Sequence, residues 1–368
     1  MIEKLNIACI SDVHLGHHRT KTPFILDNLR KAFPDNAETA SIDLFLIAGD
    51  FFDRLLSFSS DEVQEIQFWI MEFFCLCIKH DIVVRVLEGT PSHDWKQSKI
   101  FRTVNRIMGE KVDLKYVDVL SIEVIERFNA SILYVPDEWA HEADDTWRQV
   151  KELLKAHGMD KVDLACMHGM FEYQLPMKSN KAHNAERYLG IVRYYIFIGH
   201  VHLRSRLDRI LVQGSFDRDT HGQEQPKGYY RVTIDQKKGD EVRFVENPHA
   251  KLYLTLDMRG KTLREGMDFL TRYADYPAQS HFRLLLERGD ELVQGLTVIR
   301  ELYPQFIWTS QLDDLESPES ADLPDQTAVP KPMAITPDNV VTLTAERIKA
   351  DVPDPVRKLA LTLLQNLL

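Results

Sequence analysis

The stretch LNIACISDVHLG, residues 5–16, joins a mainly apolar run to a group of polar side chains. The run from Leu5 to Ile10 is typical of a short strand that is covered on both faces of a sheet. Asp12 and His14 follow it and are two residues apart, so on a strand they would face the same way. An Asp-x-His pair alone is a common coincidence, and its meaning depends on what the rest of the chain brings to the same place.

Four further apolar runs in the first 250 residues end in the same way. Residues 42–48, 82–87, 162–167 and 194–198 are followed by GDFFDR, EGTPSHD, HGMFEY and GHVH. Segments with helical spacing lie between them at 59–80, which opens with a capping-box pattern of Ser59 and Glu62, and at 144–157. This alternation predicts a layered α/β fold. Because ligands bind at the carboxyl ends of the strands in such folds, we expect the five polar clusters to converge on one edge.

The composition excludes some classes of protein. The chain has 368 residues and a formal charge of −11, which argues against a protein that coats nucleic acid by bulk attraction. Its four cysteines lie in apolar surroundings and are typical of reduced core thiols, so a paired Cys75 and Cys77 metal site is the weaker alternative. We expect a cytoplasmic protein without a signal peptide or membrane segment.

The pattern changes after residue 250. Alternating strand and helix patterns over 251–315 predict a small βαβαβ unit, which follows a larger domain at 1–250. Residues 316–335 contain four prolines and no aromatic residue, which indicates a solvated linker. Residues 336–368 end in an amphipathic helix capped by Asp354, with Pro355 at its first position. Such a helix needs a partner surface, and the alternative is that it folds back on its own domain.

The polar clusters hold the residue types of a metal site. They supply imidazoles and carboxylates but no thiolate, a mixture that suits manganese, iron or zinc. Six or seven ligands are too many for one tetrahedral ion and suit two ions about 3.5–4 Å apart with a shared carboxylate. The candidate ligands are Asp12, His14, Asp50, His168, His200 and His202.

In this order, the motifs D-x-H, GD, a loop ending in HD, a lone His and GHxH resemble the calcineurin-like metallophosphoesterase superfamily. Within it, the chain is most similar to the SbcD-type nuclease subunits of complexes that repair DNA double-strand breaks. The stretches SDVHLG, AGDFFDR and QGSFDRDTHGQEQPKGYY support this narrower resemblance. It implies two packed sheets flanked by helices, a βαβαβ capping domain that helps hold DNA, a homodimer, and a helical tail that docks on a coiled-coil ATPase subunit.

The resemblance also implies roles for single residues. One ion would be held by Asp12, His14 and His202, the other by His168 and His200, and Asp50 would bridge them. We expect manganese, with magnesium as the alternative. His93 matches the catalytic histidine that protonates the departing oxygen, and Asp94 would fix its orientation.

One position departs from the family pattern. Where the family has an Asn whose carbonyl oxygen binds the second metal, this chain has Ser92 in a longer loop. The alternatives are that Ser92 binds the ion, that Thr90 or water replaces the amide, or that the site fills only when DNA is present. We expect two ions with unequal affinity.

The leading hypothesis for function is a two-metal DNA exonuclease and structure-dependent endonuclease in an SbcCD-like complex. Residues 176–231 hold 10 Lys or Arg against 5 Asp or Glu, which fits a phosphodiester polymer. The predicted backbone contacts are Arg204, Arg206, Arg209 and Arg218, and His17 and His18 are weaker candidates. The alternatives are a phosphatase or phosphodiesterase acting on a small molecule or protein, and a scaffold with a degenerate centre.

Overall fold

The computed structural model describes residues 2–313. The predicted linker at 316–335 and the predicted partner-binding tail at 336–368 lie outside the described residues. The strands are β1 (Lys4–Ile10), β2 (Leu44–Ala48), β3 (Val83–Leu87), β4 (Leu114–Val117), β5 (Ser121–Ile125), β6 (Ala130–Val135), β7 (Val162–His168), β8 (Val192–Gly199), β9 (Ser205–Leu207), β10 (Ile210–Val212), β11 (Gly228–Asp235), β12 (Glu241–Glu246), β13 (Tyr253–Asp257), β14 (His281–Glu287) and β15 (Ile307–Asp313). The helices are α1 (Thr22–Ala32), α2 (Ala37–Ala40), α3 (Asp61–His80), α4 (Pro91–Asp94), α5 (Ile100–Ile107), α6 (Ala143–Ala156), α7 (Ala185–Ile191), α8 (Leu263–Leu270) and α9 (Glu291–Leu302).

Two mixed six-stranded sheets form the larger part of the described chain. Their strand orders are β12-β11-β1-β2-β3-β4 and β5-β6-β7-β8-β10-β9. The five predicted site strands divide between them, since β1, β2 and β3 are parallel neighbours in one sheet and β7 and β8 in the other. The polar clusters therefore meet across two layers rather than along one sheet edge.

The two sheets pack face to face through an apolar layer. Leu5, Ile7 and Cys9 of β1 belong to this layer, while Ala8 and Ile10 point to the opposite face. This is the two-residue period of a strand, and it lets a continuous apolar run serve two cores at once. The fold is thus an α/β sandwich with two packed sheets, as predicted.

Helices cover both outer faces. The helices α1, α3 and α5 pack on the first sheet, and α6 and α7 pack on the second. The predicted capping box at the start of α3 is absent, because the helix begins at Asp61 after Ser60, whose side chain makes no capping hydrogen bond. Glu62 instead accepts a hydrogen bond from the Thr22 hydroxyl at 3.0 Å, which ties α3 to α1.

A third sheet follows the sandwich in the chain. It contains the parallel strands β13, β14 and β15, and α8 and α9 complete its separate apolar core. The element order is the βαβαβ order expected from the sequence. None of the helices in residues 2–313 has the length and apolar character needed to cross a membrane.

The helix-covered core depends on Phe101, which is fully buried in α5 with its ring centroid 5.0 Å from that of Phe51. We expect Phe101→Ala to lower the free energy of unfolding by about 3–5 kcal/mol because it opens a cavity. Urea denaturation followed by tryptophan fluorescence measures this. The matched control is Ile107→Ala in the same helix, where the side chain is 74% exposed, and we expect a change within about 0.5 kcal/mol. Equal losses in the two variants would contradict this account of the core.

Candidate metal centre

The loops that follow β1 and β2 run side by side and carry the first ligands. The amide of Asp12 donates to the carbonyl of Gly49 at 3.1 Å, and the amide of Val13 donates to that of Asp50 at 2.9 Å. Asp12 and His14 therefore lie beyond the end of β1 and not on the strand itself. Their positions are set by the neighbouring loop instead of by strand alternation.

Four of the candidate ligands have left-handed backbone conformations. The φ angles are 51° at Asp12, 55° at His14, 49° at Asp50 and 98° at His200. Each such residue that is not glycine costs about 1–3 kcal/mol, so the surrounding structure must hold it in place. Backbone strain at residues that carry imidazole and carboxylate groups is typical of a functional site.

Two glycines allow the backbones around the site to approach closely. A Cβ atom on Gly89 would lie 2.1 Å from the Asp50 amide nitrogen, and one on Gly199 would lie 2.4 Å from the Ala48 carbonyl oxygen. Both distances are too short for any side chain. Gly89 therefore lets the loops after β2 and β3 meet within one sheet, and Gly199 lets the end of β8 in the second sheet meet the end of β2 in the first.

The first group of ligands contains Asp12, His14 and His202, whose ligand atoms lie within 4.8 Å of one another. The Nε2 atoms of the two histidines are 3.0 Å apart. Each Nδ1 faces a carboxylate, with Asp53 at 3.3 Å from His14 and Asp219 at 3.0 Å from His202. These carboxylates favour a proton on each Nδ1, so the two Nε2 atoms share a further proton in the hydrogen bond between them. A cation between the two Nε2 atoms can replace that proton.

The electrostatic environment of this group favours positive charge. Burial by itself lowers the pKa of His14, but the neighbouring carboxylates, first among them Asp53, raise it to about 9. The carboxylates therefore outweigh the desolvation penalty. The same field stabilises a bound cation.

The second group contains Asp50, His168 and His200, also within 4.8 Å of one another. His168 Nδ1 lies 2.7 Å from the Ala48 carbonyl oxygen and must donate its proton there. Its Nε2 faces the Asp50 carboxylate oxygen at 3.2 Å. Burial lowers the pKa of His168, but the Asp50 carboxylate outweighs it and holds that pKa well above its ordinary value, so a proton lies between the two groups. A metal ion can replace that proton. Imidazole and carboxylate ligands in both groups suit a divalent metal ion.

His93 and Asp94 lie beside these groups on the short helix α4. His93 is partly exposed, and its Nδ1 lies 2.9 Å from Asp50 Oδ2. Asp94 is fully buried and accepts hydrogen bonds from the amides of Phe52 at 2.9 Å and Gly89 at 2.7 Å. The structure thus differs from the predicted role of Asp94. Its carboxylate fixes the loop backbones, and the acid that holds His93 is Asp50.

The structure distinguishes Ser92 from Thr90 as the residue that could replace the family's Asn. Ser92 is exposed, and its carbonyl oxygen accepts a hydrogen bond from the Trp95 indole at 2.6 Å. The Thr90 hydroxyl lies 3.1 Å from Asp50 Oδ2 and 3.4 Å from His168 Nε2. Thr90 is therefore the residue that reaches the second group.

Residues 5–204 match the model of the calcineurin-like phosphoesterase family. The chain belongs to this family. It is accordingly a metal-dependent phosphoester hydrolase, and the two groups of histidines and aspartates fit its divalent metal site.

Comparison with individual proteins adds little to this assignment. No curated protein matches the sequence of this phosphoesterase. The crystal structure of TT1561 of Thermus thermophilus is 11% identical, with a TM-score of 0.37, and the match covers 66% of this chain and 99% of that chain. A second crystal structure is 12% identical with the same coverage and TM-score.

Three acidic residues lie at the site of this calcineurin-like phosphoesterase that the sequence motifs did not predict. Asp53 and Asp219 face the histidines of the first group, and Asp137 lies 3.6 Å from His200 Nδ1 in the second. Asp53 and Asp219 belong to motifs already quoted, GDFFDR and SFDRD. Asp137 follows β6, which was not predicted although the apolar run ILYV ends there in PDEW.

The arginines predicted to contact DNA have different environments. Arg206 is exposed, and the Arg204 guanidinium lies 4.1 Å from the centre of the Phe244 ring. Arg218 is buried and donates to main-chain carbonyls, including that of Gln225 at 3.1 Å, and Arg209 donates to the carbonyl of Leu189 at 2.9 Å. This differs from the predicted DNA contacts, because the guanidinium groups of Arg218 and Arg209 are used to hold main-chain carbonyls of the protein.

Metal binding should stabilise the fold of this phosphoesterase. We expect Mn²⁺ at 100 times its dissociation constant to add about 2.7 kcal/mol, since an ion that binds only the folded state shifts the equilibrium toward it. Asp50→Asn should lose most of this gain, because Asp50 contributes to the second group and touches His93. Thermal unfolding with EDTA and with Mn²⁺ measures the effect.

The matched control is Asp27→Asn, which changes an exposed acid paired with Lys31. It should keep the full stabilisation by Mn²⁺. If Asp50→Asn gained as much as the control, the two groups would not be the metal centre.

Proposed function

We propose that this phosphoesterase is a metal-dependent DNA nuclease, both exonuclease and structure-dependent endonuclease, and that it is the nuclease subunit of an SbcCD-like complex. The proposal rests on the resemblance of its motifs and on a cleft beside the metal centre. It includes manganese as the resident ion, a homodimer, and an ATPase partner that binds the C-terminal helices. A cytoplasmic location remains a prediction.

The cleft is the observation that favours a polyanionic substrate. It has a volume of about 450 Å³, and both the sandwich and the third sheet line it. Its lining residues include the cations Arg19, Lys21 and Arg54 and a single carboxylate, Glu62. Within a chain of net charge −11, such a local excess of positive charge is what binding to a phosphate backbone requires.

The cleft adjoins the metal centre directly. His17 and His18 lie on its wall and form a group with Asp53, in which the ligand atoms are within 4.8 Å of one another. Asp53 in turn lies 3.3 Å from His14 of the first group. A backbone held in the cleft would therefore reach the metal ligands, and His281 of the third sheet would line its other side.

The chemistry follows from the positions of the side chains. Asp12, His14 and His202 would hold one divalent ion, His168 and His200 would hold the other, and Asp50 would be shared by the two. When bound, such ions supply Lewis-acid chemistry that polarises phosphoryl oxygens and activates water.

His93 is placed to move a proton. Its Nδ1 faces the Asp50 carboxylate at 2.9 Å, and this hydrogen bond raises the pKa of His93 above its ordinary value. The imidazolium form, which carries a proton on both nitrogens, is therefore favoured. Its Nε2 has no hydrogen-bond partner within residues 2–313 and is free to face a substrate. The imidazolium can give its Nε2 proton to the departing oxygen and become neutral.

A comparison of substrates tests the nuclease proposal. With Mn²⁺, we expect the full-length protein to cut single- or double-stranded DNA more efficiently than a nitrophenyl phosphodiester or a phosphopeptide. His93→Ala should lower the rate of DNA cleavage by about 10²–10⁴-fold because it removes the proton donor. It should leave Mn²⁺ stabilisation intact.

Two results would contradict the nuclease proposal or the role of His93. Efficient hydrolysis of the phosphopeptide or the nitrophenyl ester without DNA cleavage would replace the nuclease with a phosphatase or phosphodiesterase. DNA cleavage that survives in His93→Ala would remove His93 from the reaction.

The salt dependence of DNA binding tests the cleft. Each phosphate contact contributes about 0.9 to the slope of the logarithm of the binding constant against that of the salt concentration. Replacing Arg19 and Lys21 together by alanine should therefore reduce the slope by about 2. The control replaces Lys237 and Lys238 together by alanine. Lys237 pairs with Glu3 near the amino end of β1, and this is the end of the sheet opposite the metal centre. Equal slopes for the two double variants would show that DNA does not occupy the cleft.

A further inference from the structure

Asp137 lies at the same end of the second sheet as His168. It follows β6, which pairs in parallel with β7 so that Val135 lies opposite Met167. The chain then continues next to Gly169, where an added Cβ atom would be 3.3 Å from Asp137 Oδ1. The parallel register therefore carries Asp137 to the second group of ligands just as it carries His168 there.

The Thr90 hydroxyl links Asp137 to that group. Thr90 Oγ1 lies 3.2 Å from Asp137 Oδ2, 3.1 Å from Asp50 Oδ2 and 3.4 Å from His168 Nε2. The other nitrogen of His168 donates to the Ala48 carbonyl, so Nε2 is the atom of this ring that faces the group. A hydroxyl has one proton and can donate it to only one of the two carboxylates. A cation between Asp50 and Asp137 would offset the negative charge that these two carboxylates bring together.

The position of Asp137 allows an ion to reach it. Its side chain is 12% exposed, and it lines a cavity of about 330 Å³ together with His200, His141 and His183. The neighbouring acid, Glu138, lines the same cavity but forms an ion pair with Lys181 at 2.5 Å. Asp137 forms no ion pair with a lysine or arginine among the described residues, and the imidazole 3.6 Å from it is that of His200 in the second group.

We infer that Asp137 is a ligand of the second metal ion and that the Thr90 hydroxyl occupies the place of the amide oxygen that the family pattern supplies there. The additional carboxylate compensates for a hydroxyl, which is the poorer donor. The second site then contains two carboxylates, Asp50 and Asp137. More anionic oxygen ligands favour hard ions such as Mn²⁺ and Mg²⁺. The inference holds whether the substrate is DNA or a smaller phosphoester.

Titration of the metal-free, full-length protein with Mn²⁺ tests whether Asp137 and Thr90 are ligands. Calorimetry gives the number of sites and the affinity of each. The wild type should bind two ions. Asp137→Asn, which keeps the shape of the side chain, should weaken one of them by at least about tenfold. Glu138→Gln is the matched control and should bind as the wild type does.

Thr90 is tested in the same titration with two variants. Thr90→Val removes the hydroxyl at nearly constant volume and should weaken the same ion, whereas Thr90→Ser keeps the hydroxyl and should restore the affinity. Unfolding curves in EDTA establish that each variant is folded. Two ions bound by Asp137→Asn with wild-type affinities would overturn the inference for Asp137, and unchanged binding in Thr90→Val would overturn it for Thr90.

A spectroscopic measurement separates a ligand from a mere neighbour of the site. Asp137→Cys places a thiol at the same position, and Cd²⁺ bound to the thiolate gives an ultraviolet charge-transfer absorption. We expect this absorption in Asp137→Cys and not in Glu138→Cys, which shares the wild-type background of one exposed cysteine, Cys75. Identical spectra for the two variants would show that Asp137 does not coordinate the ion.

Discussion

The apolar layer between the two six-stranded sheets determines where the side chains of the metal centre lie. It contains 22 buried residues, among them Leu46 of β2 and Phe197 of β8. Burying a Leu or Phe side chain contributes about 1.5–3 kcal/mol, so this layer resists any sliding of one sheet over the other. Because the strands that carry the ligands end at the same side of the sandwich, the packing that buries these residues also brings Asp50 to His168.

This packing stabilises features that would be unfavourable by themselves. Asp12, His14, Asp50 and His200 have positive φ angles, at about 1–3 kcal/mol each, and imidazole and carboxylate groups lie close together in both ligand groups. A short peptide would relax from such a state. In the folded chain the two loops are held by each other's backbone and by the buried Asp94 carboxylate, so the ligand atoms stay together in a form that an ion can bind.

The negative and positive charges of the chain are concentrated in different places. The whole chain is acidic, and carboxylates surround the histidines of the centre, with Asp53 behind His14 and Asp219 behind His202. Cations are concentrated in the adjoining cleft, where Arg19, Lys21 and Arg54 lie near a single Glu62. Under the proposed function, an anionic substrate would be attracted to the cleft while metal ions would offset the negative charge of the centre.

The sequence by itself determined the sandwich class, five of the strands and the six side chains that the structure brings into two groups. These features could be predicted because strand periodicity is local and because parallel strands end at the same edge of a sheet. Other features depended on contacts between residues far apart in the chain. Asp137 could not be found without β6, and Thr90 could not be preferred to Ser92 until the loop had a conformation. The buried positions of Asp94 and Arg218, each of which holds backbone groups from elsewhere in the chain, were decided only by the tertiary structure. A side chain's type indicates what it can bind, but which of its potential partners lies within reach is settled by how the layers pack.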